Sequence, residues 1–151
     1  MPDPLFFLNH HLLQNQISPR LSSSLRQTLG NHDYLGHVQA QIDYTKVSSR
    51  WNLPAPYYFK TYNVGQRTDG SMATMDIIFI DTVVLAGNSD LQEDPFAPLE
   101  GPADPVMAQT QWNWIEEHLN NSKADYLFTA GHYPVWSGVL RVFFLFFFWA
   151  N

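Results

Sequence analysis

Apolar positions along the chain fall into three kinds of pattern. Ala108, Trp112, Ile115 and Leu119 recur at i, i+4, i+7 and i+11, which predicts a helix with one apolar stripe. Asp104-Pro105 in front of them reads as an N-cap followed by Pro at the first helical position, so the helix is placed from there to about Asn121. Val38 and Ile42 sit four apart in a stretch with few helix breakers, predicting a second helix from Val38 to Trp51 that ends before Pro54 and Pro56. Tyr57 to Tyr62 and "MDIIFIDTVVLAG" are aromatic and β-branched, and read as strands, the latter in at least two pieces. Asp69-Gly70 between them is a turn signal, so an antiparallel hairpin is expected. "ADYLFTAGH" reads as a short strand, then Gly131, then His132 at its carboxyl end.

The remaining stretches are less regular. Residues 1–29 show no period, and "SPRLSSSLRQTL" reads as loop or weak helix. Residues 88–105 are rich in Pro and acidic groups and read as a long surface loop. "VFFLFFFWA", residues 142–150, is too short for a membrane span, which needs roughly 20 residues. No membrane partner is therefore expected, and a product held at a membrane by this run is the least favoured reading.

Composition narrows the class. The chain has 151 residues, 45% hydrophobic and 15% charged, which suits one globular domain. A net charge of −6 argues against a nucleic-acid partner, because phosphate backbones are held by clustered Lys and Arg. An anionic substrate would need a local positive centre. Without cysteine there is neither a disulfide framework nor a Cys-based zinc site. The N-terminus does not read as a signal peptide: it lacks a basic leader, and Asn9, His10 and His11 interrupt its apolar stretch.

Candidate chemistry centres on Asn31, His32 and His132. Neutral imidazole is the commonest transition-metal ligand among side chains, and an amide oxygen is a weaker neutral one. In sheets fed by crossover helices, ligand sites gather at the carboxyl ends of strands, where Gly131-His132 is placed. A second His beside the amide could donate a proton or bind an anion. On these residues alone, a satisfied surface or core His remains the commoner reading.

The segments "GNHDYLG", "QAQIDYTKVSSRWNLPAPYY", "DTVVLAGNSD" and "AGHYPVWS" resemble the tartrate-resistant purple acid phosphatases of the metallophosphoesterase superfamily. The resemblance covers a central fragment, residues 30–137, between an atypical segment 1–29 and an atypical apolar tail 138–151. It implies an α/β fold (an α+β sandwich), with β-sheet layers flanked by helices and incomplete at both ends. It implies hydrolysis of phosphate monoesters at a binuclear metal centre, iron plus iron or zinc, in a monomer that is lysosomal or secreted. By position, Asn31 and His132 resemble ligands of the second metal, and His32 the histidine that contacts substrate and protonates the leaving alkoxide. Asp33 could orient His32 or could be a turn residue.

Departures from that pattern matter. The Asp-x-Gly, Gly-Asp-x-x-Tyr and Gly-His-x-His segments that supply the family's other ligands do not occur in this sequence. Asp81 aligns with a non-ligand position, and Ala86 stands where mammalian relatives carry Cys. A truncated or altered gene product that binds iron poorly and turns over little substrate is therefore expected. The alternative is a non-catalytic remnant or splice form. Asn120-Asn121-Ser122 fits a glycosylation acceptor, although such triplets also arise by chance.

Overall fold

The structure is a computed structural model that describes residues 25–91, 93 and 99–133. The expectations for residues 1–24, the Phe-rich run and positions 134–137 lie outside the described residues. Strand β1 (Leu25–Arg26) pairs in parallel with β2 (Trp51–Asn52). Helix α1 (Val38–Tyr44) lies between them in sequence, preceded by a 3-10 turn, Asn31–Leu35. Strands β3 (Tyr58–Gln66) and β4 (Met72–Phe79) form the expected hairpin, from Tyr58↔Phe79 to Gln66↔Met72, with an irregularity between Asn63 and Gly65. At its tip Gly70 takes φ +86, a left-handed conformation that glycine adopts without steric cost.

After β4 come helix α2 (Thr82–Ala86), helix α3 (Pro105–Asn121) and strand β5 (Tyr126–Ala130). Strand β5 pairs in parallel with β4, giving the order β3-β4-β5. A parallel neighbour needs a crossover connection, and α2, the loop and α3 supply it. The mixed α/β class is as expected. Among the described residues no helix is long and apolar enough to cross a membrane.

Leu29, Leu53, Tyr58 and Phe79 are buried, with Tyr34, Val38, Ile42 and Trp51 packed around them. Tyr58 and Phe79 face each other in register and stack at 4.4 Å, while the Tyr58 hydroxyl donates to Gln27 O at 2.8 Å. Burial pushes that phenol up to about 12. Elsewhere Ile78, Val83, Ala108 and Ile115 are buried together with Asp81 and Gln111.

Three sequence expectations are corrected. The first helix ends at Tyr44, and Trp51 belongs to a strand. Thr45 terminates it: its hydroxyl donates to Leu53 O and accepts from Leu53 N, both at 2.9 Å, turning the chain back. The second piece of "MDIIFIDTVVLAG" is a helix, because the Asp81 carboxylate accepts from Val83 N and Val84 N at 3.0 and 3.1 Å. That cap overrides the β propensity of the valines. Finally, the buried face of α3 is Ala108, Gln111 and Ile115, whereas Trp112 and Leu119 are exposed by 51% and 44%. Gln111 takes the inward position because its side chain serves Asp81: Oε1 accepts from Asp81 N at 2.8 Å, and Nε2 donates to Asp81 O at 3.1 Å. The Tyr34 hydroxyl donates to the Asp81 carboxylate, whose pKa burial raises above the ordinary range. Asp81 thus anchors backbone at the start of α2 and against α3.

Candidate functional site

Where β5 ends, Gly131 passes close to the start of α2. A Cβ there would lie 2.7 Å from Thr82 Cγ2 and 2.9 Å from Ile80 Cγ1, so only glycine fits without displacement. The next residue, His132, lays its imidazole against Gly30, where a Cβ would meet the ring at 2.8 Å. Tyr133 fastens this corner: its N–H donates to Thr82 Oγ1, and its hydroxyl donates to Gly87 O, each at 3.1 Å.

Gly30 also begins the 3-10 turn that carries Asn31 and His32. Asp33 closes it, with Oδ2 accepting from Gly30 N at 2.8 Å and Oδ1 from Gln41 Nε2 at 2.7 Å. Both carboxylate oxygens are thus engaged locally. Asp33 is a turn residue and does not orient His32.

Asn31 and His132 meet. His132 Nε2 lies 2.7 Å from Asn31 Oδ1, joining positions 101 residues apart. Asn31 Nδ2 donates to Ser89 Oγ at 3.0 Å, so Oδ1 faces the imidazole and Nε2 carries the ring proton. Asn88 Nδ2 donates to Asn31 O at 3.1 Å, and Tyr133 Oη accepts from Ser89 N at 3.1 Å. Asn88, Ser89 and Tyr133 were not singled out from sequence. Their signal was the short Asn-Ser-Asp turn after α2 and the aromatic residue following His132.

His32 is placed differently. Its side chain is 82% exposed and reaches Asp90, Nε2 to Oδ2 at 3.3 Å, so the pair carries opposite charges only when the imidazole is protonated. Its partner carboxylate is therefore Asp90 rather than Asp33.

Among the described residues no group of three or more His, Asp or Glu could hold a metal ion. Asn31 and His132 supply two neutral donor atoms, already hydrogen-bonded to each other. Divalent and trivalent transition ions need about four to six donors, with anionic ones to balance charge. The residues present do not fit a binuclear centre.

The sheet whose carboxyl edge carries the amide–imidazole pair, with its crossover helices, is a mixed α/β fold. In structure it is similar to the protein described as "GAP50 the anchor in the inner membrane complex of Plasmodium", with TM-score 0.57 and 19% identity over 80% of this chain and 36% of that one. No protein-family model matches the chain. In sequence it is similar to tartrate-resistant acid phosphatase type 5 of Homo sapiens and of Sus scrofa, each 47% identical over 110 residues, and of Rattus norvegicus, 46% identical over 110 residues. The match takes in 72% of this chain and 30–31% of each relative, so the chain spans about a third of the length of these curated relatives. Over that segment the chain resembles the tartrate-resistant acid phosphatases.

Proposed function

We propose that this chain is part of an acid phosphatase lineage acting on phosphate monoesters, and that its 151 residues supply one corner of the active site. The observation that carries the reading is the 2.7 Å contact between Asn31 and His132, the two residues that by position resemble ligands of the family's second metal. In a complete enzyme of this family the pair would help to hold one ion of a binuclear centre, iron plus iron or zinc. His32, exposed beside that corner, would meet the phosphate ester and protonate its leaving oxygen. A monomer in a lysosomal or secreted setting goes with this reading, and the net charge of −6 goes against a nucleic-acid partner.

For these 151 residues by themselves a second reading has its own support: alone they are non-catalytic. Asn31 and His132 satisfy each other, and the acidic motifs that would balance a metal's charge are missing from the sequence. Loss of groups that merely orient ligands costs about 10–100-fold in metal affinity, and loss of the ligands themselves costs more. The purified chain is expected to release p-nitrophenol from p-nitrophenyl phosphate at mildly acid pH no faster than background, and to retain neither iron nor zinc on gel filtration. Turnover near that of an intact relative would overturn this reading.

A further inference from the structure

The last turn of α3 carries chemistry that the phosphatase site does not use. Asn120-Asn121-Ser122 is the single Asn-X-Ser/Thr triplet in the sequence. Asn120 and Asn121 are exposed, and they lie away from the buried face formed by Ala108, Gln111 and Ile115. Ser122 has already left the helix, with φ −59 and ψ 135. Its hydroxyl donates to the buried Asp76 carboxylate at 2.6 Å, and Asp76 also accepts from Thr61 Oγ1 at 2.7 Å.

We propose that Asn120 is an N-linked glycosylation site, used when the chain passes through a secretory compartment. The co-reactant is a lipid-pyrophosphate-linked oligosaccharide. The Asn120 amide nitrogen forms a bond to the sugar's anomeric carbon and loses one proton. The anomeric C–O bond breaks, and the lipid pyrophosphate leaves with the electron pair. The hydroxyl two residues on completes the acceptor. That hydroxyl is free in the unfolded chain, and after folding it turns inward to Asp76, which leaves Asn120 outside.

The position tolerates a bulky polar group. Helix ends fray, so the acceptor lies where the backbone opens most readily. Ser122 bonds to Asp76 of β4, which is paired with Leu127, and Asp125 N donates to Thr74 O at 3.1 Å, so the end of α3 lies beside the start of β5. The Asn31–His132 pair lies beyond the opposite end of that strand, after Ala130. Five residues at about 3.3 Å each separate the two ends by roughly 16 Å. A glycan at Asn120 would therefore project from the end of the sheet remote from the pair.

The test is expression of the full chain behind a cleavable secretion leader in cultured animal cells, with cell-associated and secreted material pooled. Wild type is expected to migrate faster after peptide-N-glycosidase, which leaves an aspartate signature at the acceptor in the peptide map. Asn120→Gln should abolish the shift, while Asn121→Gln and Ser122→Thr should keep it. Transfer precedes folding, so a variant that folds poorly still reports. An unmodified wild-type chain, or a shift that survives Asn120→Gln, would overturn the proposal.

Discussion

Replacing Gln111 with leucine puts an apolar side chain of similar size at a fully buried position, yet it should destabilise the fold. Gln111 is 0% exposed and completes two bonds to the backbone of Asp81, which is itself 0% exposed. In Gln111→Leu the Asp81 N–H loses its Gln111 Oε1 acceptor, at about 1–3 kcal/mol for an orphaned buried donor. The Asp81 carbonyl still accepts from Leu85 N at 3.3 Å, so its loss is that of one ordinary bond, about 0.5–1.5 kcal/mol. Burial of the leucine returns about 1.5 kcal/mol at most against these terms. The net expectation is destabilisation centred on about 1.5 kcal/mol and no larger than about 3 kcal/mol, a sizeable fraction of the 5–15 kcal/mol typical of a domain. Urea unfolding followed by far-UV circular dichroism measures it, with an unchanged m-value marking a stability change alone. Trp112→Leu, one position further on and half exposed, should cost less than about 1 kcal/mol. If Gln111→Leu matches or exceeds wild-type stability, or if Trp112→Leu is the more damaging change, the account of how α3 is held is wrong.

Two further outcomes follow from particular contacts. The Arg67 guanidinium, with Nε 2.9 Å from Asp125 Oδ1, together with the Thr74 N–H holds the Asp125 carboxyl down at about 2. Because the folded value is depressed, its stabilisation is present above the ordinary carboxylate range and is lost as pH falls towards 2. Arg67→Gln should move the Asp125 titration upward in carbon-detected NMR and shrink that acid-side loss; an unmoved titration would refute the assignment. Gly30→Ala should push the His132 ring away from Asn31, since the new methyl would lie 2.8 Å from ring atoms, and overpacking of this kind costs about 1–3 kcal/mol. Unchanged His132 ring resonances in the variant would contradict the crowding.

Much of this arrangement was legible in the residues. Asp69-Gly70 gave the hairpin and Asp104-Pro105 the start of α3, because turn and cap chemistry is local and needs no tertiary partner. The end of α1 was not legible, since Thr45 stops it through Leu53, eight residues on. Nor was the inward face of α3, because a polar Gln is buried only by virtue of an unpaired backbone elsewhere. The helical reading of "TVVLA" was within reach: Asp81 in front of it is an N-cap residue, but two adjacent valines outweighed it. Strand β1 is two residues long and its pairing with Trp51–Asn52 is non-local, so no periodicity could announce it. The resemblance placed Asn31 and His132 at related positions, but Asp90 rather than Asp33 as the companion of His32 needed coordinates.

The amide–imidazole pair closes a loop of about a hundred residues that contains most of the described strands and helices. Closing so long a loop is entropically costly, and only the completed crossover brings the two ends together. A collapsed chain with its helices formed but β5 unpaired would have no such corner. The imidazole resonance of a single histidine can therefore serve as a gauge of native topology, distinguishing a correctly threaded chain from one that is merely compact.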